Sequence, residues 1–293
     1  MCSGTEVAAV VCKGVSQCLQ KSGVDFALTH VGSCECATQK QKWIERNFGK
    51  EIVLYSNIAQ LGSKTAQAVG EDAAVPVLDA EVVVAGVSCK SMSPYNYKRK
   101  EMAMALAQGL LDKAGCTGET LKGLLDYLRC HDCVRLVIIE NVATLLHNTR
   151  FGTPFRAIQK LLEELGFTVS HDILNSRDYL LPQNRRRIYI WGVRGCSDNF
   201  CHDAVKQTLR SLRRQATFTH SELQIPQDAG VAPTPPPPRG AFMRRHHTAK
   251  WKAQHAAFRK KHGLKGKCQL LGAAGCLRGR AAECVSLRLP GSA

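Results

Sequence analysis

No apolar run in this chain approaches the roughly 18 residues that a membrane-spanning helix requires, so nothing in it reads as a bilayer anchor. The opening residues, MCSGTEVAAVV, lack the basic start and apolar length of a secretory signal. No segment repeats at a fixed interval. The fourteen cysteines are scattered rather than framed at regular spacings, unlike a small disulfide scaffold. The expectation is an intracellular protein with reduced thiols, nuclear in a eukaryotic cell. Acidic residues are also scarce: 24 Asp and Glu face 40 Lys and Arg, leaving a formal charge of +16.

That excess favours polyanion partners, nucleic acid before membrane, but it is unevenly spread. From Arg239 onward thirteen Lys and Arg stand against one acid, Glu283, so +12 of the +16 lies in the last fifth of the chain. The remainder is ordinary globular composition, 44% hydrophobic and 22% charged, with length for one large domain and an appendage.

The patterning reads as alternating helices and strands. Helices are expected over 7–21, 38–48, 102–113, 121–130, 155–165 and 204–214. In the first, apolar residues at 7, 8, 11, 15, 18 and 19 follow helical spacing. Strands are expected over 26–31, 51–55, 81–87, 135–139, 167–174 and 186–193, with a polar connection over 62–76. The alternation implies an α/β fold with parallel strand pairing and right-handed crossovers. The pattern fails after about Gln224. The proline run Pro235–Pro238 should be extended, and residues 225–293 are expected to form a poorly ordered, proline-rich linker and basic tail behind a core over 1–200 and a connection over 201–224.

The stretch Asp79–Pro94, DAEVVVAGVSCKSMSP, organises the rest. A β-branched run stops at Gly86 and delivers a lone cysteine, Cys89, onto a loop, a common way to present a nucleophile. The alternative is a small buried hydrophobe. Two further strand ends carry chemistry: Glu140-Asn141-Val142, and Gln183-x-Arg185-x-Arg187 leading into Ile188-Tyr189-Ile190-Trp191-Gly192. In order and spacing these three resemble the DNA (cytosine-5) methyltransferase family, over roughly residues 2–195. The resemblance implies a Rossmann-like S-adenosylmethionine-dependent methyltransferase sheet, with DNA as the substrate and RNA as the alternative.

It also implies roles. Cys89 would be the nucleophile, Glu140 the acid at ring nitrogen 3, Asn141 the residue holding the loop, and Arg185 and Arg187 further substrate contacts. Carbon 5 of cytosine is too weak a nucleophile to take a methyl group directly. A thiolate adding to carbon 6 makes it competent, which is covalent catalysis. Nearby positive charge would favour that thiolate, from Arg185, Arg187 or Lys90. The base must leave the duplex to reach the pocket. S-adenosyl-L-methionine would lie against Ser3-Gly4-Thr5, with Glu35 at the ribose hydroxyls and Asn57 near the adenine.

Other readings stay open. Glu35 reads equally as a solvated loop acid, Glu140 as a structural ion-pair partner, and Arg185–Arg187 as a basic edge strand. Alternation puts 185 and 187 on one face and 186 on the other. Cys34-x-Cys36 and Cys130-x-x-Cys133 have metal-like spacing without a second pair, so no metal site is assigned. A non-catalytic relative that binds nucleic acid through its basic tail is the alternative of a different class. The chain also departs from the family: Cys2 stands for Phe, Glu6 for Gly, Ser88 for Pro and Lys90 for Gln. No match is found for the family's first strand or target-recognition region, as in a core truncated at both ends.

Overall fold

The computed structural model describes residues 1–2, 4, 6–49, 52–181, 183–195 and 200–214, the first two of the last segment by backbone only. The chain divides into two units, Met1–Leu223 and Gln224–Ala293. The expected linker and basic tail lie outside the described residues, as do Ser3 and Thr5.

Helices α1 (Val7–Lys21) and α2 (Thr38–Phe48) have the ends their sequences predict. Past each, a glycine turns left-handed, Gly23 at φ +79 and Gly49 at φ +66, which costs a residue without Cβ little. The buried face of α1 differs from expectation. Val7, Val10, Val11 and Val15 are all exposed, and the helix buries Ala9 and Ser16 instead. The small side chains permit close packing, and Ser16 Oγ accepts the Leu28 N–H at 2.9 Å. That bond ties the following segment to the helix. The strand expected over 26–31 accordingly begins later, as β1 (Gly32–Cys34). It pairs in parallel with β2 (Val53–Tyr55), Gly32 opposite Val53 and Cys34 opposite Tyr55.

The expected polar connection over 62–76 holds an antiparallel hairpin, β3 (Thr65–Gln67) with β4 (Ala74–Pro76). Thr65, Ala74 and Pro76 are exposed in these strands, and Ala66 is buried. The hairpin is anchored by the Tyr55 hydroxyl, which donates to Pro76 O at 2.7 Å and accepts the Leu78 N–H at 2.9 Å.

The main sheet comprises β5 (Val82–Ala85), β6 (Leu136–Val142), β7 (Phe167–Asn175) and β8 (Arg186–Arg194), in the order β5-β6-β8-β7. β5 and β6 are parallel, as expected, but β8 is antiparallel to both its neighbours. No crossover helix separates β7 from β8, so the chain returns directly and must reverse direction. On the other side of β5, Met1 donates its amino group to Val84 O, and Gly86 N–H donates to Met1 O at 3.1 Å. Those two bonds form one parallel rung opposite Ala85.

Helix α3 (Arg99–Ala107) is shorter than the expected 102–113 run, because Gly109 takes φ +76 and only a single turn, Leu111–Lys113, follows. α4 (Gly115–Cys130) starts a turn and a half before the expected position. It buries Leu121, Leu124, Leu125 and Leu128 completely, where a Leu→Ala change would cost about 2–5 kcal/mol. Gly123 is needed here: a Cβ on it would lie 2.8 Å from the Ile58 carbonyl oxygen. α5 (Pro154–Glu163) starts with the Thr153 side chain capping Arg156 N–H and buries Phe155, Ile158 and Leu162. α6 (Phe200–Ser211) closes the described chain, a few residues ahead of the expected 204–214. Val83, Ala85, Val137, Ile139, Ile188 and Ile190 form the core at the sheet centre.

Candidate active site

β5 and β6 point the same way, with Ala85 opposite Ile139, so Cys89 and Glu140 both lie beyond that rung toward the carboxyl ends of adjacent parallel strands. Ligands of open α/β sheets gather at that end. After Gly86 the chain leaves the sheet and Cys89 sits half-buried, its body packed against the core. The loop is tied at several points. Asn141 Nδ2 donates to Val87 O at 3.1 Å, Thr120 Oγ1 accepts the Ser88 N–H at 3.0 Å, and Thr117 Oγ1 donates to Ser88 O at 2.5 Å. Past the cysteine, Ser91 Oγ accepts the Thr117 N–H at 3.2 Å, and Thr144 Oγ1 donates to Met92 O at 2.7 Å.

Glu140-Asn141-Val142 does not form a loop, as expected from sequence, but the last three residues of β6. The reason is β8, which supplies partners to the very end: Glu140 opposite Tyr189, Asn141 opposite Ile188, Val142 opposite Arg187. Strand alternation therefore sends Glu140 and Asn141 to opposite faces. Asn141 is fully buried, and its Oδ1 accepts the Val142 N–H at 2.8 Å while its amide reaches Val87. Glu140 sits on the other face with Arg187 Nε at 2.9 Å and Arg185 at 3.7 Å. Arg187 is mostly buried, Arg185 is more open, and Arg186 is exposed beside Asn175. Tyr189 faces the same group. Burial, and behind it the Glu140 carboxylate, pushes its phenol up.

The two guanidiniums thus meet the carboxylate rather than the thiol. The expectation that they set the charge of Cys89 directly is not what the geometry shows. Among the described residues, Cys89 Sγ has no hydrogen bond, and its link to Glu140 runs through the Asn141–Val87 bond.

Of the proposed cofactor residues, Glu35 and Asn57 follow the carboxyl ends of β1 and β2, and Gly4 precedes α1. Glu35 is not a solvated loop acid: it is buried, with Oε2 accepting the Gly4 N–H at 2.8 Å and Oε1 the Ala37 N–H at 2.9 Å. Lys40 Nζ lies 3.6 Å from Oε2. Gly4 takes φ +64 and has open space where a Cβ would sit. Its neighbours Cys2 and Glu6 also take positive φ, 51 and 54, without being glycine. Glu6 is buried, 3.7 Å from His30 Nε2, and its Oε1 has no hydrogen-bond partner among the described residues. Asn57 is exposed and caps a single turn, its Oδ1 accepting the Ala59 N–H at 3.0 Å. Of the metal-like cysteine pairs, Cys34 is buried and its thiol pushed up to about 12 by that burial, while Cys130 and Cys133 reach Gly62 O and Asp79.

The structure thus gathers Glu140, Arg185 and Arg187 by ion pairs, joins Asn141 to the Cys89 loop, and joins Gly4 to Glu35. Sequence reading missed Thr117, Thr120 and Ser91, which hold the Cys89 loop. Nothing along the chain marks them, since the contacts span some 26 to 32 residues.

A model of the C-5 cytosine-specific DNA methylase family matches residues 10–229. The chain is 28% identical over 217 residues to the DNA (cytosine-5-)-methyltransferase DMT5 of Cryptococcus neoformans, covering 73% of this chain and 8% of that protein. It is 32% identical over 114 residues to the type II methyltransferase M.SsoII of Shigella sonnei, covering 39% and 26%. Against M.HaeII of Haemophilus aegyptius it is 27% identical over 167 residues, covering 57% and 44%. The chain therefore spans less than half the length of each of these relatives. A solved structure of a Spodoptera frugiperda DNMT2 variant aligns at TM-score 0.40 and 18% identity, covering 67% of this chain and 49% of that one.

Proposed function

This chain belongs to the C-5 cytosine-specific DNA methylase family, and from that membership we propose that it transfers a methyl group from S-adenosyl-L-methionine to carbon 5 of a cytosine in DNA. The observation that carries the reading is the junction of two strand ends. Asn141 holds the loop that presents Cys89, and the adjacent residue, Glu140, is held by Arg187 and Arg185.

The Cys89 thiolate adds to carbon 6 of the extruded base, and the electron pair displaced from the 5,6 double bond makes carbon 5 nucleophilic. Charge then builds at ring nitrogen 3, which takes a proton from the Glu140 carboxyl group and stays hydrogen-bonded to the carboxylate left behind. Arg187 and Arg185 fix that carboxylate in place and stay available to polar atoms of the base. After methylation a water molecule takes the carbon 5 proton, the C–H electron pair re-forms the 5,6 double bond and expels the thiolate, and ring nitrogen 3 returns its proton to Glu140. The methyl donor supplies an electrophilic methyl group. The residues at the amino-terminal end fit such a ligand: Gly4 leaves open space beside a loop anchored on the buried Glu35 carboxylate, and Asn57 follows the adjacent strand. Gly4, Glu35 and Asn57 are the described residues proposed to hold it, and Ser3 and Thr5 complete the set by sequence alone.

The test is transfer of radiolabel from S-adenosylmethionine to DNA by the full chain. Label should appear in cytosine and vanish in Cys89→Ser. Equal labelling by the two proteins contradicts the assignment.

A further inference from the structure

Three consecutive backbone groups ahead of Cys89 are held by side chains from two different elements. The end of β6 holds Val87 O through Asn141. The start of α4 holds both polar groups of Ser88: Thr120 Oγ1 accepts its N–H at 3.0 Å, and Thr117 Oγ1 donates to its carbonyl at 2.5 Å. Residues three apart on a helix share a face, so one hydroxyl accepts from and the other donates to a single residue. The direction of the first bond is fixed because a backbone N–H can only donate, so the Thr120 hydroxyl must accept. Its own hydroxyl hydrogen points back to Cys116 O at 2.8 Å or Thr117 O at 3.2 Å, leaving a lone pair for Ser88.

The arrangement depends on residue 88 having an N–H. A proline has none, and its ring fixes φ unaided. Serine brings both a freely rotating φ and a donor that must be satisfied when half-buried. The Thr120 hydroxyl answers both needs at once.

We propose that Thr120 is a positioning residue for Cys89, acting through the Ser88 N–H, and that Ser88 and Thr120 form a coupled pair in place of a rigid residue before the nucleophile. The effect on turnover rests on Cys89 being the nucleophile of methyl transfer. The effect on the loop itself does not.

Thr120→Val keeps the shape of the side chain and removes the acceptor. In the full chain, kcat for methyl transfer to DNA should fall about tenfold with KM for S-adenosylmethionine unchanged, since a misheld nucleophile loses transition-state rather than ground-state binding. Thr120→Ser retains the hydroxyl and should retain the rate. Ser88→Pro combined with Thr120→Val should recover to within about twofold of the parent, because the proline removes the donor that the valine strands. Amide exchange at Ser88 and alkylation of Cys89 by iodoacetamide, followed by peptide mapping, read the loop without turnover. Both should quicken at least threefold in Thr120→Val and stay unchanged in Thr120→Ser, with the exposed Cys18 of α1 as internal reference for alkylation. If Thr120→Val leaves exchange, alkylation and kcat at parental values, or if the losses in the double variant add, the proposal is overturned. If exchange and alkylation respond as stated while the parent chain transfers no label, the coupled pair stands and methyl transfer is what fails.

Discussion

The two ends of the candidate site are built differently. Around Cys89 and Glu140, buried polar groups find partners: Asn141 bonds to Val87 and Val142, Thr117 to Ser88 and Ser91, Glu140 to two arginines. Around Gly4 and Glu35 the structure rests on less. The strands β1 and β2 have three residues each, Cys2 and Glu6 hold left-handed backbone without being glycine, and Glu6 Oε1 and His30 Nδ1 are buried without hydrogen-bond partners among the described residues. The valine face of α1 is open as well. Rigidity is concentrated where a thiol must meet one carbon atom. The end assigned to the methyl donor carries strain and unsatisfied groups, so substitutions at the two ends should differ in size and, at the strained positions, in sign.

The largest effect is expected at Asn141. Asn141→Ala strands the buried Val87 carbonyl and should lower stability by about 2–3 kcal/mol, read as a urea midpoint at unchanged slope. Asn57→Ala, on the exposed turn, should shift it little. Equal losses would erase the contrast. Next, Arg187→Ala should reduce methyl transfer by at least about tenfold by freeing Glu140, whereas Arg186→Ala, on the exposed side of β8, should change it less than about twofold.

Glu6→Gly should act in the other direction. It relieves a left-handed residue and removes a carboxylate oxygen without a partner, so stability should rise by about 1 kcal/mol despite the lost approach to His30. A lower thermal midpoint would show that this end is not strained.

A smaller, pH-dependent effect is expected at His171, in the sheet beside Phe155. Burial, and secondarily the charge of Lys206, lowers its pKa from 6.5. The folded state therefore binds this proton less readily than the unfolded one. Its contribution is intact above pH 6.5 and is lost as pH falls from there through the lower folded-state value. The thermal midpoint should drop more between pH 7.5 and 5.5 in the parent than in His171→Phe.

Much of this architecture was legible in the residues. Gly23 and Gly49 marked where α1 and α2 end, and β-branched runs marked β5 and β6. The strand-end groups Cys89, Glu140-Asn141 and Arg185-x-Arg187 could be picked out because catalysis needs unusual residue types at such places. What was hidden depends on partners distant in sequence. The antiparallel course of β8 follows from the short return after β7, which an alternating apolar pattern does not encode. The α1 stripe pointed to a buried valine face because periodicity shows that a helix has two faces, not which one is covered. Thr117 and Thr120 lie just ahead of the helix expected from residue 121, and nothing marks them until folding sets them against Ser88.

The most direct test of the central claim, that Cys89 and the Glu140–arginine group act on one base, is covalent capture. A DNA duplex with fluorine at carbon 5 of cytosine cannot complete the last step, because fluorine does not leave as the proton does. Incubation with S-adenosylmethionine and the full chain should give a DNA–protein adduct whose only modified peptide contains Cys89. The adduct should form much more slowly in Glu140→Gln. An adduct on another cysteine, or none from a chain that labels ordinary DNA, would contradict the account.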